Sequence, residues 1–533
     1  MRQSLTLRQA AFAVLIFAVV QFILQLSLLA RGVEYVASSL VIDDTYYYLQ
    51  TAWNTRLLGF VTFDGLHATN GVQLLWFVII LFLAMLAKTK AVLLFTTLVV
   101  SFLFNGLCYL IIVKIGTVLK QPILVLFMAS LWALQSLPFR IYSMGMENSL
   151  HALIFWCVLW QSLVFLIQVR NNATPNFRGL TVVLVLVVWT RLDSALIAAV
   201  LFAFCVGTLA YTYRHDLRLF LRVHGKAIAG SGVLAGLGLI AQLSAFKIMG
   251  DSILPVSALV KTSGAGRGAD IEALDKLIGV FTLGLPSILQ GRFPTLALIL
   301  LGIFGVLLVI VARVAIRDHS DEIRVFLNLW SCVLFGEALY YVYVALSEVE
   351  YAPYFIWYRS PSFIFWIATG SLIALFIFGH TRLTNHRINI LKCAPAAVSL
   401  AIYAVAIYMF ARSINFTSTL YVARYNAALW IGENSPPDTV FASWNAGQLG
   451  FFSDRTFINL DGVINSVDYY ERVISGSVSV TDYLSENNVD YVVDYDTYDS
   501  LPDLPIVHTF PLNDESGRSI NIWQVSPQLS STP

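Results

Sequence analysis

The sequence predicts a mostly α, polytopic membrane protein of about eleven transmembrane helices, with a small α/β domain at its C-terminus. Three observations lead there. The 533 residues are 58% hydrophobic and only 12% charged. Apolar runs of about twenty residues, the length that spans a hydrocarbon core of about 30 Å, recur up to position 411. Beyond Tyr421 the pattern changes to short apolar stretches separated by turn residues, as strands require. The charges divide the same way: from Arg412 onward there are 15 acids against 5 Arg and no Lys, leaving 28 bases and 17 acids elsewhere. We read a transmembrane domain over 1–411 and an aqueous domain over 412–533. All five Cys fall within apolar runs, which suits neither a disulfide framework nor a zinc site.

The run from Gln9 to Ala30 follows Arg2 and Arg8. It exceeds the apolar core of a cleavable signal, so it reads as an uncleaved anchor with a cytoplasmic N-terminus. Further apolar runs lie at 72–87, 91–113, 121–138, 148–169, 179–190, 194–211, 226–247, 294–316, 324–346, 361–379 and 390–411. Loops carrying Arg214, Arg218, Arg222 and Lys226, then Arg313, Arg317 and Arg324, then Arg382, Arg387 and Lys392 belong inside by the positive-inside rule. Segments 31–71, 139–147, 248–293 and 347–360 then lie outside, together with the Lys-free tail. The count balances if one run between Asn70 and Lys114 does not cross, and the short 72–87 run is assigned as re-entrant or interfacial; the alternative places the odd crossing in 179–211, where Arg191 and Asp193 interrupt two short halves. In the tail, DTVFAS, GQLGFFS, RTFINLDG, VDYVVDYDT and RSINIWQV read as strands, and NAALWIGEN, YYERVISG and VTDYLSENN as helices.

The chemistry concentrates outside. In VIDDTYYYLQTAWN, Asp43 and Asp44 precede Tyr46, Leu49, Trp53 and Leu57 at helical spacing, so an amphipathic helix on the outer membrane surface is expected to start there. One Asp is explained as an N-cap. Two like charges beside lipid repel unless a cation or proton is shared, so the pair points to metal or proton chemistry. The same loop adds Asp64, His67, Asn70 and Gln73. Glu147 in GMEN reads either as a first-turn helix acid or as a functional group, and Arg191 with Asp193 in TRLDS either as a local ion pair or as part of a site.

The acidic pair in the first outer loop, about eleven spans and the outer C-terminal domain resemble the GT-C superfamily of polyprenyl-phosphate-sugar-dependent glycosyltransferases. The group includes protein O-mannosyltransferase, aminoarabinose transferase and arabinofuranosyltransferase types. More narrowly, DDTYYYLQTAWN, TFDGLHATNGVQLLW, GMEN, TRLDS, LPVSALVK, WYRSP and NLDGVIN, in that order, resemble a bacterial group of these enzymes. The resemblance implies a multi-pass protein of the bacterial inner membrane. Its donor is a polyprenyl-phosphate sugar, and the acceptor is a glycan, lipid or protein hydroxyl attacking C1 with inversion on the extracytoplasmic face. It places the general base at Asp43, with Asp44 close behind, and gives Glu147 a catalytic or metal-holding role. Asp44, Asp64 and Glu147 are the candidate ligands for a divalent ion, Mg or Mn. Lys261, Arg292 and Arg359 are the candidate cations for the donor phosphate. His67, Asn70, Trp357, Tyr358, Arg191 and Asp193 are the candidate substrate contacts. Arg267 lies in SGAGRGAD, a Gly-rich stretch suited to a mobile loop; it lacks the ending of a P-loop, which excludes nucleotide binding there. The rival reading is a transporter or lipid flippase, whose charges would line a path through the bilayer. The candidate groups instead cluster on one face.

Overall fold

The computed structural model describes residues 5–138, 142–262, 320–346, 360–379, 389–415, 417–495, 504–514 and 516–525. The run 294–316 and the expected site residues Arg267, Arg292, Trp357, Tyr358 and Arg359 lie outside the described residues. Helix α1 (Leu7–Leu29) opens on a capping box in which Thr6 and Gln9 satisfy each other's backbone N–H. Its buried residues Ala10, Val14, Phe17, Gln21, Gln25 and Leu28 recur every three or four positions, which defines one helical face. Phe12, Ile16, Val19 and Ile23 are exposed, as on a lipid-facing surface. Gln21 on the buried face is satisfied through both amide atoms, whereas Gln25 is bonded through its nitrogen alone and its Oε1 has no hydrogen-bond partner among the described residues. Gln21 donates to Ser136 at 3.0 Å and accepts from Tyr109 at 2.5 Å, and Gln25 donates to Ser143 at 2.6 Å.

The helical part continues with α2 (Asp43–Leu58), α3 (Leu74–Leu86), α4 (Lys90–Leu119), α5 (Pro122–Ser136), α6 (Asn148–Arg170) and α7 (Phe177–Thr190). Then come α8 (Ala195–Thr212), α9 (Leu217–Gly250), α10 (Val256–Thr262), α11 (Asp321–Leu346), α12 (Ser360–Gly379) and α13 (Asn389–Ser413). α1 packs on α4 and α5, α4 on α6, and α5 on α12 and α13. Among the described residues, eight helices are long and apolar enough to cross a membrane, and α3, α5 and α7 are shorter apolar helices. The chain is a multi-pass membrane protein. α3, in the run expected to be re-entrant, has 13 residues and measures about 20 Å.

Two helices depart from expectation. α9 begins at Leu217, not near 226, because the Asp216 side chain accepts the Leu219 N–H at 2.9 Å and good helix formers follow. Arg218, Arg222 and Lys226 therefore lie on a helix and not in a loop. α2, expected to be amphipathic, is instead enclosed on all sides over residues 45–52, which are all buried, and it packs between α3 and a helix of the C-terminal domain.

That domain comprises α14 (Thr419–Asn434), β1 (Val440–Ser443), α15 (Ala446–Ser453), β2 (Thr456–Asn459), α16 (Val480–Glu486), β3 (Tyr491–Tyr495), β4 (Ile506–Pro511) and β5 (Ser519–Gln524). The sheet order is β2-β1-β3-β5-β4, with β1 parallel to β2 and β3, and β5 antiparallel to β3 and β4. The stretch GQLGFFS, expected as a strand, is helix α15. The edge strand β4 was not expected; most of its residues are exposed, so it lacks the alternating apolar signal.

Candidate active site

Asp43 and Asp44 stand in the first turn of α2, yet neither caps it: Ile42 is the N-cap and no side chain closes it. Asp43 instead caps another helix. Its carboxylate accepts the N–H groups of Gly447 at 3.1 Å and Gln448 at 2.8 Å, at the start of α15, and the Arg424 guanidinium lies 3.8 Å away. A negative group is favoured at that position because helix N–H groups and the helix dipole converge there. Position 447 takes glycine because a Cβ would stand 2.3 Å from the carbonyl oxygen of Asp43. The helical state of GQLGFFS thus depends on a docking contact invisible in its local sequence.

Asp44 shares none of these partners. It is half-buried, and among the described residues its carboxylate accepts no hydrogen bond. Burial, the largest cause, pushes its pKa up from 3.8 to about 7; Lys261 pulls it down, while Asp43, Asp461 and Glu147 push it up. These four charges come from α10, α2, the C-terminal domain and the residue preceding α6. Sequence reasoning singled out Lys261 and Glu147 in this setting but missed Asp461. Asp461 lies in NLDGVIN, a motif from which the resemblance implies no role for this residue.

Glu147 is buried and ion-paired with Arg191 at 2.7 Å, and it accepts the Tyr48 hydroxyl at 3.1 Å. The same guanidinium grips Asp193 through two bonds of 3.2 and 2.7 Å. Glu147, read as a first-turn acid or a functional group, and Arg191 with Asp193, read as a local ion pair or part of a site, therefore form one clamp. The turn ahead of Glu147 is pinned by Thr45 donating to the Met144 carbonyl at 2.8 Å and Trp76 to the Gly145 carbonyl at 3.1 Å.

Two further candidates have structural duties. Asn70 is fully buried; its amide nitrogen faces the carbonyls of Phe246, Ser252 and Leu254 at 3.0–3.2 Å, and its oxygen accepts the Val256 N–H at 2.8 Å. It staples the corner leading into α10 and so positions Lys261, a correction to its expected substrate contact. Asp64 accepts the N–H groups of Leu66 and His67, both at 2.8 Å, and meets His67 Nδ1 at 2.7 Å. This is an Asx-type turn; the hydrogen bond to Asp64 is the main cause raising the His67 pKa. Asp64 and Glu147 are thus engaged away from Asp44. Among the described residues no group of three or more His, Cys, Asp or Glu is arranged to hold a metal, so the expected ligand set does not fit one.

A cavity missed by the sequence reading lies beside the clamp, lined by His151, Asp193, Ser194, Glu337 and Tyr340 among others. His151 Nε2 meets the Ser194 hydroxyl at 2.8 Å, and the Tyr340 hydroxyl lies 3.4 Å from Asp193. Glu337 is buried and bonded to Ser362. A lone acid inside the apolar run 324–346 was the available signal.

The whole chain superposes on the crystal structure of ArnT from Cupriavidus metallidurans in the apo state, with a TM-score of 0.56 and 11% identity over 98% of this chain and 100% of that one. The chain has the fold of ArnT. A second ArnT structure from the same organism, bound to undecaprenyl phosphate, matches with a TM-score of 0.53 and 14% identity over 97% and 99% of the two chains. Residues 413–527 match a family described as a domain of unknown function (DUF8728). No curated protein matches the sequence. The ArnT likeness bears out the architecture that the motif order implied, a helical membrane domain carrying a small C-terminal sheet domain.

Proposed function

We propose that the protein is a glycosyltransferase that moves a sugar from a polyprenyl-phosphate donor to an acceptor hydroxyl on the extracytoplasmic face, with inversion, using Asp44 as general base. The observation that carries the reading is the placement of Asp44, half-buried in the first turn of α2 with no hydrogen bond among the described residues and within the electrostatic influence of Lys261. A base works best when its pKa lies near the operating pH, and about 7 suits that role. The acceptor oxygen attacks C1 as the bond from C1 to the phosphate oxygen breaks. Asp44 takes the hydroxyl proton, and Lys261 stabilises the charge gathering on the departing phosphate. Asp43, favoured from sequence, is engaged by two backbone N–H groups and Arg424, so its part here is to dock the C-terminal domain. Asp64 and Glu147, expected to help hold Mg or Mn, have other partners, and no step is routed through a cation.

The donor class is supported by the ArnT fold together with the undecaprenyl phosphate bound in one ArnT structure. The orientation, with the N-terminus cytoplasmic and the C-terminal domain outside, is supported by the basic loops on the opposite face. The test incubates the purified protein in vesicles with polyprenyl-phosphate sugars extracted from its host membrane and follows release of polyprenyl phosphate. Release that depends on Asp44 is expected. Movement of the lipid between leaflets without release would support the transporter reading instead, and release unaffected by Asp44→Asn would refute the assignment of the base.

A further inference from the structure

Helix α9 is longer than a bilayer core is thick. Its 34 residues extend about 51 Å, against a hydrocarbon core of about 30 Å. One end is fixed beside the first loop, where the Asn70 amide donates to the Phe246 carbonyl at 3.2 Å. Counting back from there, Ala227 to Phe246 are 20 residues without a charge, the length that spans hydrocarbon. Leu217 to Lys226 add ten more and carry the helix about 15 Å beyond the core, on the side remote from that loop. These ten residues are sorted by face. Phe220 and His224 are buried, with the His224 ring 6.3 Å from the ring of Phe177 in α7. At about 3.6 residues per turn, Arg218, Arg222 and Lys226 form a stripe on the opposite face. All three are exposed, and among the described residues they have no hydrogen bond or ion pair. Leu219 and Val223 flank the stripe on one side and Leu217 and Leu221 on the other, all of them exposed. α9 contains no acid, and Asp216 before it is engaged as the cap.

We propose that the first ten residues of α9 form a binding surface for anionic phospholipids, with Arg218, Arg222 and Lys226 on the headgroup phosphates and the flanking Leu and Val side chains among the adjoining acyl chains. A face turned to water carries polar residues beside its charges. A cationic stripe edged with large apolar side chains instead fits the boundary between lipid and water, where long basic side chains keep their heads at the phosphates while their stems lie on apolar surface. Charge complementarity selects the occupant. Three cations with no acid on their helix match a phosphodiester of net negative charge, whereas a zwitterionic headgroup brings its own ammonium to the same place. Arg178, next to Phe177 in α7 and likewise exposed, adds a cation at this end of the molecule. The inference is independent of the chemistry at Asp44. It gives α9 a lipid anchor at the end remote from the corner that Asn70 staples.

The test needs no sugar substrate. The full-length protein in a neutral detergent is titrated with phosphatidylglycerol or with phosphatidylcholine, and bound lipid is counted by native mass spectrometry. Wild type is expected to take up phosphatidylglycerol in preference. The triple variant Arg218→Gln, Arg222→Gln, Lys226→Gln keeps good helix formers at exposed positions. It is expected to need roughly a hundredfold more phosphatidylglycerol for the same occupancy, since each cation near an anionic surface contributes about fivefold. Its uptake of phosphatidylcholine should match that of wild type. Arg218→Lys with Arg222→Lys keeps the charge and is expected to bind as wild type does. Should the triple variant not fold, Arg222→Gln alone is expected to show a loss of about fivefold. The wild-type preference should also fade from about 0.01 M to about 1 M salt, as the screening length falls from about 30 Å to about 3 Å. Equal uptake of the two lipids by wild type, a preference indifferent to salt, or an unchanged preference in a folded Gln variant overturns the proposal.

Discussion

The two sides of the first turn of α2 carry the same residue and do different work. On one side Asp43 is satisfied by backbone N–H groups and an Arg of the C-terminal domain; on the other Asp44 is half-buried, accepts no hydrogen bond among the described residues and stands under the influence of Lys261. A carboxylate saturated by hydrogen bonds holds a structure together, whereas one held in a desolvated setting without them has a proton affinity available for chemistry. Chemical identity and adjacency therefore say little about role, and the partners decide.

The contrast between scaffold and reacting group extends to the clamp, where the largest effect is expected. Glu147→Ala leaves the buried Arg191 with one partner fewer, and removing one member of a buried pair costs about 3 kcal/mol or more. Thermal unfolding in detergent should show it; a loss below about 1 kcal/mol, the range of a surface pair, would mean that the clamp does not hold the site together. Asp43→Ala is expected to be of the same order, because two charge-assisted hydrogen bonds to α15 disappear, each worth about 1.5–3 kcal/mol. The expected sign is faster proteolytic release of the C-terminal domain. Gly447→Ala forces a Cβ against the Asp43 carbonyl, an overpacking cost of about 1–3 kcal/mol. It should loosen the same domain, read as faster proteolytic release.

The smallest effect lies on the Asp44 side and has the opposite sign. Its folded-state pKa of about 7 is raised above the ordinary 3.8, so the folded protein binds the proton more tightly than the unfolded chain. That contribution to stability is fully present below about pH 4 and is lost as pH rises through 7. Asp44→Asn should remove this slope and melt a few degrees higher than wild type above pH 7, on the order of what one or two kcal/mol produces. A wild-type melting temperature independent of Asp44 across that window would remove the basis for its role as base.

The fold was largely legible because lipid imposes it: apolar runs, basic loops and the change of period after Tyr421 each follow from a solvent boundary. The site was legible as a neighbourhood but not as roles. Asp43 and Asp44 are indistinguishable in sequence, and what separates them is Gly447 and Gln448, more than 400 positions away. Asn70 reads as a polar loop residue, and only the folded corner at 246–256 reveals its four backbone partners. The helix α15 was misread for the same reason, since a docking contact outweighed a local pattern rich in Gly and Phe. Glu337 carries a readable signal, a lone acid in an apolar run.

The most direct test compares Asp43→Asn and Asp44→Asn side by side at pH 8 for release of polyprenyl phosphate from the same donor vesicles. The account predicts a loss of about a hundredfold or more for Asp44→Asn, as expected on removing a general base, and a clearly smaller loss for Asp43→Asn, mirrored by weaker attachment of the C-terminal domain. Wild-type turnover in Asp44→Asn, or the two losses in reverse order, would contradict it.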